Sequence, residues 1–244
     1  MKYNKLVLFL LIIFLFSCQR RENELTDQLI LLGSFDLSIP EPSGLTVNST
    51  GDILYTVSDN TNQIYQINTV GNVLQTYGYV GNDLEGISNF TNGKFLVAEE
   101  RTKNIVEYNP STNTFISHQM IYDNNDANSG IEGVTYNPNN QTIYFVNEKN
   151  PGKLFKTDIN FNITAIIDLT FANDYSDLFY ESQANILWIL SDESRTINKC
   201  STDGILLQSY SINVDQPEGI AITNDKIYIV SDSLKKLYIF QKPI

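Results

Sequence analysis

The chain has 244 residues, with 28 acidic and 16 basic side chains and a formal net charge of −12. So large an acidic excess argues against duplex nucleic acid or an anionic bilayer surface as an electrostatic partner. With two cysteines and one histidine, neither a disulfide framework nor a Cys/His zinc centre is available.

Residues 1–17 read as an export signal. Lys2 and Lys5 precede an unbroken apolar run of 11 residues, Leu6 to Phe16, which is too short to span a bilayer. The run ends in Leu15-Phe16-Ser17-Cys18, which resembles the lipobox of bacterial lipoproteins, where the cysteine becomes the lipidated first residue. An ordinary signal with an incidental cysteine is the other reading. On the lipobox reading the protein is held to a bacterial membrane, plasma or outer, through Cys18, with its domain in the periplasm or at the cell surface. Loss of Lys2 and Lys5 then takes the charge to −14, residues 18–27 form a polar tether, and Cys200 has no thiol to pair with.

From residue 28 the chain is rich in β-formers. QLILLGSFDLS (28–38) is an apolar segment ahead of a repeat. The repeat has two words. The first is EPSGL at 41–45, DLEGI at 83–87, GIEGV at 130–134, YSDLF at 175–179 and QPEGI at 216–220. The second follows each time: ILYTVSD (53–59), KFLVAEE (94–100), TIYFVNE (142–148), ILWILSD (186–192) and KIYIVSD (226–232). Anchored on Ser43, Glu85, Glu132, Asp177 and Glu218, the spacings are 42, 47, 45 and 41 residues. Each unit reads as four short strands broken by Asn, Asp, Gly and Ser turns, in the first near 43–47, 53–58, 63–68 and 73–79. Four-stranded units at this period predict an all-β, five-bladed β-propeller over residues 28–244. The fifth unit supplies strands near 218–222, 226–231 and 236–240 and then the sequence stops, so segment 28–38 is expected to provide its outer strand and latch the ring. A β-sandwich would leave the period unexplained.

Strand order in a propeller brings both words to one face. The first word places Ser43, Glu85, Glu132, Asp177 and Glu218 at the channel mouth, and Asp59, Glu99, Glu148, Asp192 and Asp232 are expected just outside it. Crowded carboxylates repel, so some take up protons or a cation sits among them. Hard oxygen ligands favour Ca²⁺ over Mg²⁺ or Mn²⁺. Alternatively, the acids cap strand ends and close the ring. Arg101, Lys103, Lys149, Lys153, Arg195, Lys199, Lys235 and Lys236 fall in or beside the turns after the second word. A cationic rim suits an anionic or phosphorylated small ligand, although solvated turns collect Lys and Arg in any case. The polar loop 122–130 enters the same face. His118 falls in the outer strand of the second blade, away from the channel, and no nucleophile elbow or phosphate-binding loop is present.

An anchored chain carrying DLEGI, GIEGV and QPEGI, each followed by a strand that ends in an acid, as in S-D or N-E, resembles the SdiA-regulated family of bacterial envelope β-propellers. The resemblance implies a calcium-type channel site on Glu85, Glu132, Asp177 and Glu218. It is similar to phytase-like and lactonase-like propellers, which use channel metals for hydrolysis. Ser43 departs from the acidic pattern. The expected function is a calcium-bearing envelope lipoprotein that binds a small ligand or an envelope protein on its channel face. The alternative is a metal-dependent hydrolase, phosphoesterase or lactonase, with Glu132 or Glu218 as general base.

Overall fold

A computed structural model describes residues 27–122 and 130–243. The signal segment, Cys18 and all but Asp27 of the tether lie outside the described residues, as does most of the 122–130 loop. Two strands precede the repeats, β1 (Asp27–Gln28) and β2 (Leu31–Asp36). Blade 1 is β3 (Pro42–Val47), β4 (Ile53–Ser58), β5 (Gln63–Asn68) and β6 (Val73–Val80). Blade 2 is β7 (Leu84–Asn89), β8 (Phe95–Glu99), β9 (Asn104–Asn109) and β10 (Thr114–Gln119). Blade 3 is β11 (Ile131–Asn137), β12 (Thr142–Asn147), β13 (Lys153–Thr157) and β14 (Ile163–Asp168). Blade 4 is β15 (Asp177–Glu181), β16 (Ile186–Ser191), β17 (Thr196–Ser201) and β18 (Leu206–Ser211). Blade 5 has β19 (Pro217–Ile222), β20 (Lys226–Ser231) and β21 (Lys236–Gln241).

The latch is formed as the strand count requires. β2 pairs antiparallel with β21, Leu31 opposite Phe240 and Phe35 opposite Leu237, and becomes the outer strand of blade 5. The tie extends further than the sequence indicated. β1 adds a parallel fifth strand to blade 4, Asp27 opposite Tyr210, so residues 27–36 span the outer edges of two blades.

The propeller has five cores, one between each pair of neighbouring blades, and this explains its second strands. Successive side chains on a strand point to opposite faces. In β12, Ile143 and Phe145 pack against blade 2 while Tyr144 and Val146 pack against blade 4. In β16, Leu187 and Ile189 face blade 3, and Trp188 and Leu190 face blade 5. Burial on both faces makes these strands continuous apolar runs rather than alternating ones.

The innermost strands meet backbone to backbone, which accounts for the glycine in the first word. A Cβ on Gly44 would lie 2.5 Å from the Glu85 carbonyl oxygen and 2.6 Å from the Gly86 Cα. One on Gly86 would come within 2.9 Å of Glu132 O and the Gly133 Cα, and one on Gly219 within 2.8 Å of the Gly44 carbonyl carbon. Each glycine admits the next inner strand. Gly33, on the outer strand, has no neighbour within 4 Å of a Cβ position. Gly44→Ala is therefore expected to cost about 1–3 kcal/mol through overpacking against rigid backbone, whereas Gly33→Ala should stay within about 0.5 kcal/mol of the parent. Urea unfolding midpoints at unchanged slope would measure both.

Candidate metal centre at the channel mouth

The two words converge on a cavity of about 230 Å³ at one end of the channel. Ten carboxyl groups line it. Glu85, Glu132 and Glu218 come from the first word, and Asp59, Glu100, Glu148, Asp192 and Asp232 from the last position of the second. Glu41 and Asp174 join them from the segments leading into blades 1 and 4. The remaining lining is Pro42, Ser43 and Ser176; among the described residues no Lys or Arg contributes. Asp59, Asp83 and Glu85 each offer an oxygen within 4.8 Å of the others, a spacing a single cation can bridge.

Three placements differ from the sequence expectation. Glu99, expected on the rim, ends β8 and is turned into the joint between blades 1 and 2. It accepts hydrogen bonds from the Tyr79 hydroxyl (2.7 Å), the Asn82 N–H (3.1 Å), the Thr102 hydroxyl (2.9 Å) and the Asn104 amide (3.1 Å). Its neighbour Glu100 takes the cavity position. Asp177 is fully buried and does not line the cavity. Its carboxylate crosses the channel and accepts N–H bonds from Leu45 (3.2 Å) in blade 1 and Ile220 (2.9 Å) in blade 5, and from its own neighbour Leu178 (2.8 Å). It acts as a tie between three blades. Arg101, Lys149 and Arg195 form ion pairs around the cavity instead of lining it: Arg101 with Asp83 at 3.0 Å, Lys149 with Glu148 at 2.5 Å and Glu193 at 3.0 Å, and Arg195 with Asp215 at 2.7 Å.

Residues with weak sequence signals complete the frame. The Ser43 hydroxyl donates to a Glu85 side-chain oxygen at 2.7 Å and to the Glu85 carbonyl at 3.0 Å, placing a donor where the repeat would otherwise put a fifth acid. In blades 1, 4 and 5 a serine before the cavity acid in the second word staples the blade to the segment entering it. Ser58 donates to Pro40 O and Ser231 to Asp215 O, both at 2.5 Å, and Ser191 donates to Asp174. The entering residues Glu41, Asp83 and Gln216 have left-handed φ of 42°, 62° and 43°. Their carbonyls accept the N–H groups of Asp59, Glu100 and Asp232 at 2.9–3.2 Å. The backbone under three cavity acids is thereby fixed.

His118 lies in β10, outside the cavity, stacked on Phe161 with ring centroids 3.6 Å apart. It takes no part in the site.

The cavity is electrostatically uneasy. Burial pushes Glu132 well above the usual carboxylate range, and the charges of Glu85 and Glu100 add to it. Glu85 keeps some surface open to the cavity but lies deep; burial raises it, and Asp59 and Glu218 raise it further against the opposing Ser43 hydrogen bond. Glu218 is raised by burial and by Asp192 and Asp232. Asp177 is also raised by burial, opposed by its three N–H donors. Asp59, more open, is raised to about 6 by burial and by its contact with Asp83.

The sequence profile of the SdiA-regulated family matches residues 38–241. Among solved structures, the chain is similar to virginiamycin B lyase from Staphylococcus aureus. That match has 18% identity over 86% of this chain and 69% of that one, with a TM-score of 0.53. It is also similar to glutaminyl cyclase from Myxococcus xanthus, at 9% identity over 89% of this chain and 100% of that one, with a TM-score of 0.64. At such identities the likeness is one of fold.

A carboxyl raised in the folded state keeps its proton where the unfolded chain has released it, so folding stability falls as pH rises through that window. For Asp59 the window runs from 3.8 to about 6, and the deeper acids extend it upward. Asp52 and Asp158, lowered by hydrogen bonds from Thr50 and Asn162 respectively, act below 3.8 and leave the window unaffected. In chelator, the thermal midpoint should therefore decline as pH rises from 3.8 through about 6; scanning calorimetry across that range would read it.

Proposed function

The chain belongs to the SdiA-regulated family, and from that premise we propose that it is an envelope lipoprotein whose propeller holds a divalent cation, Ca²⁺, in the acidic cavity and binds a small anionic ligand there. One observation carries this reading: ten carboxyl groups line one small cavity that no basic side chain enters among the described residues. The donor set fits the ion. Asp59 and Glu85 from partly open positions and Asp83 from a buried one supply hard oxygens, and Ser43 fixes the orientation of Glu85. A cation held there would leave coordination positions facing the cavity for a carboxylate or phosphate of the ligand. Arg101, Lys149 and Arg195, already paired with acids around the edge, would offset part of the ligand's charge. Anchoring through Cys18 is the remaining element of the proposal.

A hydrolytic reading has its own support. Glu132 is buried in the cavity lining and raised, and Glu218 in the same lining is raised too, so either is placed to exchange a proton with a bound ester or lactone. Enzyme-like turnover of phosphoesters or lactones by the cation-loaded protein, lost in Glu132→Gln or Glu218→Gln, would move the assignment from binding protein to hydrolase.

Calcium should raise the thermal midpoint at neutral pH. With a Kd of about 1 µM and about 100-fold excess ion the gain is about 2.7 kcal/mol, a shift of several degrees. Asp59→Asn combined with Glu85→Gln should abolish the gain. Asp177→Asn should lower the starting midpoint, because it disturbs buried N–H acceptors, and keep the gain. Absence of a shift with any divalent cation would contradict the proposal.

A further inference from the structure

Free edges with exposed apolar side chains also occur at β6 (Leu74, Val80) and β10 (Phe115, Ile116), but the outer edge of blade 5 lies where the described chain enters the fold. Natural sheets protect an exposed edge strand with charge, proline or cover. β2 is the free edge of its sheet, and residues 29–35, LILLGSF, carry no charge or proline. Leu29 is buried, but Ile30 is 62% exposed and Leu31 and Leu32 are each 52% exposed. Phe35 continues the strip. The exposed Val70 of blade 1 lies beside it, because its neighbour Gly71 packs against Phe35 and Leu37. A contiguous apolar strip on an acidic protein marks a surface that something covers.

The position of the chain's entry identifies the cover. The described fold begins at Asp27, three residues before Ile30 and nine after Cys18. Nine residues reach at most about 30 Å even when fully extended. A lipid on Cys18 would therefore hold this rim close to the bilayer.

We infer that the β2 rim docks on the bilayer surface, with Ile30, Leu31, Leu32 and Phe35 inserted at the boundary between headgroups and acyl chains. The inference rests on the proposed anchoring at Cys18. Its driving force is apolar contact, which suits an interface with little net charge, since the chain itself is strongly acidic. Outer strands form the circumference of a propeller, so docking through β2 stands the ring on its edge. The acidic cavity then opens along the membrane plane, where it meets ligands that diffuse laterally or sit at headgroup level. A second copy of the chain, pairing edge to edge through β2, is the competing occupant.

The test uses the full chain recovered from a bacterial membrane and reconstituted in phosphatidylcholine vesicles containing a nitroxide-labelled lipid. Mass spectrometry of the Cys18 peptide reports the anchor. A fluorophore is then placed on Leu32→Cys or, on the outer strand of blade 2, on Ile116→Cys. Cys200 is fully buried with its thiol pushed up to about 12, so it does not compete for label. Docking predicts several-fold stronger nitroxide quenching at position 32 than at 116. Equal quenching on a chain that carries the Cys18 lipid overturns the docking and leaves the anchor standing. An unmodified Cys18 overturns both. Self-association shielding position 32 from water without lipid quenching would assign the rim to a second copy and overturn the bilayer proposal.

Discussion

Everything at the channel mouth depends on how closely the inner strands approach one another. Gly44, Gly86, Gly133 and Gly219 let each inner strand rest on the backbone of the next, with no room for a Cβ. That contact makes the channel narrow. A narrow channel forces Glu85, Glu132 and Glu218, which precede three of these glycines, to share space, with Ser43 before the fourth. The acid and the glycine of the word EG are therefore one device, with the glycine setting the spacing and the acid occupying the space created. Blade 4 breaks the pattern with Asp177-Leu178, and there the carboxylate is drawn across the channel to bind N–H groups of blades 1 and 5.

The repulsion stored in the cavity is unevenly relieved. Ser43 substitutes a hydroxyl donor for one acid, and Asp177 leaves the cavity altogether. Asp83 has Arg101, and Glu148 has Lys149. What remains is a set of carboxyls, Glu85, Glu132 and Glu218 raised among them, with no basic side chain lining the cavity among the described residues, held by stapled loops and left-handed entry residues that fix the backbone before any ligand arrives. Ordinary folding selects against such crowding, because a buried unpaired charge costs more than an apolar replacement. Its retention at one end of one channel, while five apolar cores carry stability elsewhere, is the pattern of a functional site.

Much of the fold was legible because repetition over-determines it. Five copies of two words fixed blade number and strand positions, and the missing strand of the last unit pointed to 28–38 as the latch. The cavity was legible at the level of which face and which words, and less so residue by residue. AEE at 98–100 offers two adjacent acids, and a one-residue choice in a strand reverses the side chain; aligning the final position of all five second words selects Glu100. Glu41, Asp83 and Asp174 precede or open their words in segments without a shared pattern, and only the fold brings them in. A period shows which residues occupy equivalent positions but not that one, Asp177, turns to a different task. The sequence likewise gathers Arg101, Lys149 and Arg195 near the face without revealing that each is paired to a neighbouring acid.

The central claim is that the acids of the two words form one cation site and that their positions follow the fold, not merely the abundance of charge. Calorimetric titration of Ca²⁺ into the chelator-treated protein tests it most directly, with Glu99→Gln and Glu100→Gln run beside the parent. The account predicts saturable binding in the parent, unchanged binding in Glu99→Gln and weakened binding in Glu100→Gln, although the two residues are adjacent in the chain. Equal loss in both variants, or no saturable binding in the parent, would contradict it.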